Sequence, residues 1–214
     1  MDRLSQISTL NRFYQVSRET TRDLEKYEKI IIECNKSLNL ISKSTINQIW
    51  HRHFLDSFQV IDFIDKNDNF LSDLGSGAGL PGIVLAIAAK ERKMSIKINL
   101  IEKSPKKTIF LEDAVKKLKL SNNVRVFCKD ILKSEKKILE DVFVARAFKP
   151  LPIILELINN KCDNFKKIII FLGKTGFKAL EEASKSWHIE YNQRRSVTSD
   201  DSTIIEVFKL KKIN

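Results

Sequence analysis

The residues with the clearest chemical meaning form a glycine-rich segment near the middle of the chain. The protein has 214 residues and only six glycines, and four of these fall within residues 75–82. The segment reads Asp73-Leu-Gly75-Ser-Gly77-Ala-Gly79-Leu-Pro81-Gly82. Glycine permits positive φ angles and lets a ligand approach the main chain closely. The clustering therefore predicts a ligand-binding loop.

The composition of this loop narrows the class of ligand. The GxxxxGK[ST] pattern of triphosphate sites is absent, and the loop carries no Lys or Arg. Its spacing is GxGxG, whereas dinucleotide-dependent enzymes have GxGxxG. The carboxylate of Asp73 is expected at the loop mouth, where it suits a ligand with a positive amino group. Glu102, at the end of the next strand, is expected to accept hydrogen bonds from both ribose hydroxyls.

S-adenosylmethionine is the cationic, phosphate-free adenosine ligand that fits these features. The residues predicted to bind it on this argument are Asp73, Gly75, Gly77, Gly79 and Glu102. The alternative is a tight structural turn after a strand, with the glutamate as a solvated acid at a helix start.

The elements that must position the loop follow from the spacing of apolar residues. The predicted helices are 23–40, 46–64, 81–90, 105–120 and 151–159. The predicted strands are 70–74, 96–101, 124–127, 142–145, 167–172, 188–191 and 203–210. Ser104 is expected to cap the fourth helix with its hydroxyl, ahead of a proline in the first turn. Alternating strands and helices predict βαβ units and a mostly parallel sheet, and the last two strands add an antiparallel end.

The sequence thus predicts an α/β fold of the Rossmann-like, class I methyltransferase type with a seven-stranded, mostly parallel sheet. Residues 1–65 are predicted to form an N-terminal helical extension, and residues 66–214 the S-adenosylmethionine-binding domain.

The charge and the cysteine content indicate which classes of partner and which cellular compartment to expect. The formal net charge is +11, from 38 basic and 27 acidic residues. Such an excess on one face is typical of a polyanion-binding protein, although it can also serve solubility. The longest apolar run, 83–89, is too short to cross a membrane. The three cysteines form no CxxC pair, which favours a reducing cytoplasm and no metal site.

Three motifs resemble, in order and spacing, the RsmG family, formerly called GidB. They are His53-Phe-Leu-Asp56-Ser57, the ten-residue glycine segment, and Ala145-Arg146-Ala147, and the resemblance runs from about residue 39 to residue 174. Members of that family are bacterial methyltransferases that modify N7 of a guanine at position 527 of 16S ribosomal RNA. The resemblance implies S-adenosylmethionine as cofactor and 16S ribosomal RNA, or the small ribosomal subunit, as partner.

The resemblance also assigns roles to individual residues. The family's cofactor contacts fall on Gly75, Leu80, Arg146 and the pair Asp130–Ile131, where the family usually has Ala-Glu. Its late Leu-Lys-Gly segment corresponds, in altered order, to the segment around Lys174, which we expect to contact RNA.

Other residues are assigned from their positions alone. Lys103, Lys106 and Lys107 lie beside the cofactor strand and are expected to hold RNA phosphate, with a solvated helix start as the alternative. His53 and Asp56 are one helical turn apart, and we expect them to hydrogen-bond each other and to hold the N-terminal segment against the loop.

Methylation at guanine N7 requires alignment of nitrogen, methyl and sulfur rather than a general base. Positive charge grows on the base, so Arg146 is assigned as a positioning residue for the cofactor carboxylate or for RNA. We therefore expect a monomeric 16S ribosomal RNA guanine-N7 methyltransferase. The alternatives are a methyltransferase for another RNA site or a small molecule, and a nicotinamide-dependent oxidoreductase.

Overall fold

Seven strands form one sheet in the computed structural model, which describes residues 1–135, 137–138 and 140–213. They are β1 Phe70–Leu74, β2 Lys97–Glu102, β3 Val124–Cys128, β4 Val142–Ala145, β5 Lys167–Leu172, β6 Trp187–Ser196 and β7 Ser199–Lys212. Their order is β3-β2-β1-β4-β5-β7-β6. The first five strands are parallel, and β7 runs antiparallel to both β5 and β6. The predicted mostly parallel sheet with an antiparallel end is confirmed.

The helices agree with the prediction in part. They are α1 Arg3–Tyr14, α2 Arg18–Leu38, α3 Asp56–Phe58, α4 Gly82–Glu91, α5 Pro105–Lys117, α6 Leu151–Lys161 and α7 Gly176–Ser184. The helix predicted over 46–64 is confirmed as a continuous helical stretch over residues 43–63, but its hydrogen bonding changes type along the chain. Its segments are a 3-10 helix Lys43–Gln48, a π-helix Trp50–Leu55, α3, and a 3-10 helix Gln59–Phe63. Among the described residues, no helix combines the length and apolar character that a membrane span requires.

The central strands form because their side chains are apolar on both faces. In β5, Ile168, Ile169 and Ile170 are all buried, as expected for a parallel strand covered by helices on each side. One face carries α2, α4 and α5 with the N-terminal segments, and the other carries α6 and α7.

The N-terminal extension shares its core with the rest of the protein. Leu10, Trp50 and Phe54 are fully buried in the same cluster as Ile83 and Val84 of α4. A boundary near residue 65 therefore marks a change from helices to alternating strands and helices, not a separation between two cores.

A hydrogen-bonded cap fixes where α2 meets the α/β layers. The Ser17 hydroxyl accepts from the Thr20 amide at 3.2 Å and donates to the Glu91 carboxylate, at the end of α4, at 2.7 Å. Helix caps of this kind contribute about 1 kcal/mol. The cap thus ties the N-terminal helix to the helix that follows the glycine loop.

Candidate active site

The loops that follow the parallel strands enclose a cleft of about 520 Å³, within the range usual for small-molecule sites. Its walls are the glycine loop, the residues after β2, β3 and β4, and residues 40–42 of the N-terminal region. Parallel strands all end at one edge of a sheet, so the fold brings these distant segments together.

The glycine loop has the backbone that its sequence predicts. Gly75, Gly77 and Gly79 have φ angles of 71°, 55° and 77°, in the left-handed region that favours glycine. The amides of Gly75 and Ser76 both donate to the Ile101 carbonyl, at 2.9 and 3.0 Å, which folds the loop over the end of β2. A Cβ on Gly77 would have Gly75 O as its nearest neighbour, at 3.8 Å. The main chain at Gly77 is therefore open to a ligand.

Two residues of the loop segment lie behind the cleft rather than in its wall. A Cβ on Gly79 would lie 2.6 Å from Ile83 Cδ1 and 2.7 Å from the Tyr27 hydroxyl, so this glycine is required by packing. Asp73 is 1% exposed, and its Oδ2 accepts from the amide of Gly82 at 3.0 Å, at the start of α4. The expectation that Asp73 presents its carboxylate at the loop mouth is wrong. Burial raises the pKa of Asp73 to about 7.

The N-terminal extension contacts the loop through Tyr27 of α2. Its ring is fully buried and stacks on Phe54 at a centroid distance of 5.6 Å, while its hydroxyl donates to the Ala78 carbonyl. Burial raises the pKa of Tyr27, so the hydroxyl keeps its proton. Tyr27 falls within the predicted helix 23–40, and its contact with the loop comes from the tertiary fold.

Glu102 lies at the end of β2 and lines the cleft beside Gly77. Its Oε2 accepts from the Gly77 amide at 2.9 Å, and its Oε1 accepts from the Ser104 amide at 2.8 Å. Each carboxylate oxygen has a further lone pair, so both can still accept from a ligand. Helix α5 begins at Pro105 as predicted, but the Ser104 side chain makes no capping hydrogen bond, which corrects that detail.

The segment after β3 forms the neighbouring wall. Asp130 and Ile131 both line the cleft, and Asp130 Oδ1 accepts from the Leu132 amide at 3.1 Å. Ile131 is 3% exposed and faces the cleft with the apolar residues Leu80 and Ile101. Together these residues give one part of the cleft an apolar surface that suits a flat ring.

Arg146, just after β4, is held by the N-terminal region. Its Nε lies 3.2 Å from Asp56 Oδ2, and its Nη2 donates to the Arg52 carbonyl at 2.9 Å and to His53 Nδ1 at 3.0 Å. His53 and Asp56 therefore bind the same arginine instead of each other, which corrects the predicted hydrogen bond between them. Burial lowers the pKa of Arg146, and the nearby Asp56 carboxylate raises it in part.

The contacts of His53 determine its protonation state. Because Arg146 can only donate, Nδ1 of His53 is the acceptor, so the proton is on Nε2, which lies 2.9 Å from Thr45 Oγ1. Burial, with Arg146 and Arg52 nearby, lowers the pKa of His53 to about 3. His53 is thus neutral at physiological pH, with both nitrogens already hydrogen-bonded.

Comparison with known proteins identifies the family to which this site belongs. The sequence profile of GidB, described as rRNA small subunit methyltransferase G, matches residues 20–205. This chain belongs to the rRNA small subunit methyltransferase G family. The enzyme of that name from Pelagibacter ubique is 40% identical over 201 residues, covering 93% of each chain. That from Rickettsia felis is 38% identical over 199 residues, covering 93% of this chain and 98% of its own. The predicted family is confirmed.

Solved structures with the same fold are more distant in sequence. M. capricolum TrmK, solved with S-adenosyl-homocysteine, has a TM-score of 0.54 at 18% identity and covers 72% of this chain and 67% of its own. P. horikoshii TYW2, solved with MeSAdo, has a TM-score of 0.53 at 12% identity and covers 75% of this chain and 62% of its own. At such identities the likeness concerns the fold alone, and it confirms the predicted Rossmann-like class.

Most of the residues that the family resemblance singled out meet in the cleft. Its wall includes Gly75, Leu80, Asp130, Ile131 and Arg146. Membership in a methyltransferase family also excludes the alternative of a nicotinamide-dependent oxidoreductase.

The predicted RNA-binding lysines separate into two groups. Lys103 and Lys107 line the cleft, whereas Lys106 and Lys174 are exposed outside its wall. Two further lysines in the wall, Lys129 and Lys149, were not predicted. Lys129 follows β3 and Lys149 follows β4. Their position after a strand was the feature of the sequence that could have identified them as cleft residues.

Proposed function

We propose that this protein transfers the methyl group of S-adenosylmethionine to N7 of a guanine in 16S ribosomal RNA, the base at position 527 that the family resemblance implies. The observation that carries the proposal is the arrangement of the cleft in a chain of this family. An open glycine backbone and a carboxylate with free lone pairs lie on one side, and cationic side chains surround the mouth.

The residues present fit this cofactor. Glu102 would accept the ribose hydroxyls with its remaining lone pairs, and the open main chain at Gly77 would permit close approach. Ile131 and Leu80 would contact the adenine ring, with Asp130 at its polar edge. When bound, S-adenosylmethionine supplies an activated methyl group on a positively charged sulfur.

Arg146 is proposed as a positioning residue for the amino acid part of the cofactor or for the RNA. A guanidinium has five N–H groups. Three of them donate to the Arg52 carbonyl, to His53 and, at 3.4 Å, to the Ser57 hydroxyl. The Nε atom forms an ion pair with Asp56 at 3.2 Å. One N–H of Nη1 is left for a ligand in the cleft, so the contact would be a single directed hydrogen bond.

The cleft needs no general base for this reaction. Guanine N7 has a free lone pair at neutral pH, and no proton leaves it during methylation. His53 is neutral and its ring nitrogens are occupied, in agreement with a role in orienting Arg146. The protein's contribution is to hold the two reactants in line and to exclude water.

The direct test is methyl transfer from radiolabelled S-adenosylmethionine to protein-free 16S ribosomal RNA and to small subunits from cells lacking the gene. Mapping N7-methylguanine should show one modified base, absent without the enzyme. Gly77→Val should abolish the activity, because a branched side chain would occupy the cofactor's path. Lys93→Val is the matched control, because Lys93 has a comparable φ angle of 53° and is exposed outside the cleft wall. Equal turnover of free guanosine and ribosomal RNA would refute an RNA substrate.

Salt dependence tests the proposed RNA contacts separately. RNA affinity should fall steeply with salt, because each neutralised phosphate releases counterions. Changing Lys103, Lys106 and Lys107 together to Gln should reduce the slope of log affinity against log salt by about 2 for single-stranded RNA. Lys174→Gln tests the fourth predicted contact in the same way. A salt-independent affinity of the wild-type protein would contradict the proposal.

The remaining features of the proposal concern the cellular context. We place the protein in the cytoplasm as a monomer, where its substrate is made and where an exposed free thiol such as Cys128 stays reduced. Light scattering with and without S-adenosylmethionine would test the oligomeric state.

A further inference from the structure

Four lysines lie in the wall of the cleft. We call them the lysine rim: Lys103 and Lys107 after β2, Lys129 after β3, and Lys149 after β4. Among the described residues, none of the four forms an ion pair. Cations away from the cleft often do, as with Lys90, which contacts Glu19 at 2.6 Å and Asp23 at 3.2 Å.

The charge of the cleft has the same sign as the proposed cofactor. The wall contains the four rim lysines against the two carboxylates Glu102 and Asp130, and Arg146 is paired with Asp56, which leaves a net charge of +2. His53 adds nothing, because its pKa is lowered to about 3. S-adenosylmethionine has a sulfonium, an ammonium and one carboxylate, so it carries one net positive charge. The unpaired lysines therefore oppose the binding of the cofactor and favour a polyanion.

The product differs from the cofactor by this one charge. During transfer the bond between sulfur and methyl breaks, the bond between methyl and N7 forms, and the positive charge moves from sulfur to the base. S-adenosylhomocysteine keeps one ammonium and one carboxylate and is neutral. The rim consequently acts on the cofactor and hardly on the product.

We propose that RNA phosphates on the lysine rim make the cleft select S-adenosylmethionine over S-adenosylhomocysteine. The inference rests on the proposed function and adds a coupling between its two substrates. Phosphates neutralise the rim and so remove its repulsion of the sulfonium, whereas the neutral product gains little. Because coupling between two sites is reciprocal, S-adenosylmethionine also tightens RNA binding. S-adenosylmethionine and RNA thus increase each other's affinity. S-adenosylhomocysteine gains no such affinity and is released more readily than S-adenosylmethionine.

The size of the effect follows from Coulomb's law. A unit charge about 10 Å from the sulfonium in a water-like dielectric, screened at physiological salt, changes affinity by a factor of about 1.2. Four such charges give about twofold, and weaker screening at low salt gives about eightfold.

Calorimetry with unreactive probes tests the coupling without methyl transfer. Sinefungin carries a protonated amine in place of the sulfonium methyl, so it matches the charge of S-adenosylmethionine. At low salt, RNA at saturation should tighten sinefungin about eightfold and change S-adenosylhomocysteine less than twofold. A DNA strand of equal length, also at saturation, should act similarly, because the coupling depends on phosphate charge. Equal effects on the two probes, no effect on either, or coupling with RNA and none with DNA would overturn the inference.

Rim variants identify the charges responsible. Lys129→Gln with Lys149→Gln should tighten sinefungin in the absence of RNA, leave S-adenosylhomocysteine unchanged, and reduce the RNA-dependent gain by about half. Lys29→Gln with Lys116→Gln is the control, because it removes the same charge from exposed positions outside the cleft. A rim double variant that behaves like this control would refute the assignment. Coupling without methyl transfer would refute the proposed function alone, and transfer without coupling would refute this inference alone.

Discussion

Replacing Glu102 by glutamine would test the centre of the proposed cofactor site. The side chain keeps its size, but one carboxylate oxygen becomes an amide group that can only donate. In the wild-type protein each oxygen accepts a backbone N–H, from Gly77 at 2.9 Å and from Ser104 at 2.8 Å. In Glu102→Gln one of these amides would face another donor, and one ribose hydroxyl would lose its charged acceptor.

The magnitude can be worked out from these contacts. A hydrogen bond to a charged group contributes about 1.5–3 kcal/mol, so the affinity for S-adenosylmethionine should fall about 10- to 150-fold. Loss of one hydrogen bond from a partly buried N–H should lower the free energy of unfolding by about 0.5–1.5 kcal/mol. The variant should therefore remain folded but bind the cofactor weakly.

Calorimetry with S-adenosylmethionine measures the first effect, and denaturant unfolding followed by far-UV circular dichroism measures the second. Glu112→Gln is the matched control, because Glu112 is exposed on α5 and outside the cleft wall. An affinity of Glu102→Gln within twofold of wild type would refute the ribose assignment, whatever its stability.

Three further predictions concern the framework of the site. Gly77→Ala should lower the free energy of unfolding by about 1–2 kcal/mol, because of its positive φ angle alone. Gly75→Ala should lower it more, because its Cβ would also lie 2.4 Å from Phe148 Cδ2. Equal losses in urea titrations of the two variants would contradict the steric argument. Burial raises the pKa of Asp73 from 3.8 to about 7, so the folded state binds the extra proton. As pH rises from 4 to 7, the free energy of unfolding of the wild type should fall by up to about 4 kcal/mol relative to that of Asp73→Asn. Parallel curves of unfolding free energy against pH for the two proteins would disprove the raised pKa. Asp56→Asn should cost about 1–3 kcal/mol in thermal or urea unfolding, because it leaves the partly buried Arg146 without its carboxylate. A loss below 1 kcal/mol would show that the pair contributes little.

The order of strands and helices is determined locally, and for this reason the sequence was sufficient to predict it. The bounds of β1, β4 and β5 are the predicted ones, because buried parallel strands are short apolar runs between polar or turn-forming residues. The glycine loop was equally predictable, since its positive φ angles exclude most other residues.

Helix α7 is absent from the predicted helices and is only nine residues long. Its buried residues are Gly176, Leu180 and Ala183. Helices this short are marginal in isolation, so packing against α6 and β6 stabilises it.

The direction in which side chains of the site point was decided by tertiary contacts. Asp73 is close to the loop in sequence, yet the start of α4 takes its carboxylate behind the cleft. The segment predicted as one helix over 46–64 adopts π and 3-10 turns, and there Arg52, His53 and Asp56 converge on Arg146. The sequence by itself determined the fold and the position of the loop, because these depend on local backbone preferences and on the apolar pattern, and the resemblance of its motifs indicated the family. Only the tertiary structure decided which of the nominated side chains face the cleft, because that depends on hydrogen bonds between residues about ninety positions apart.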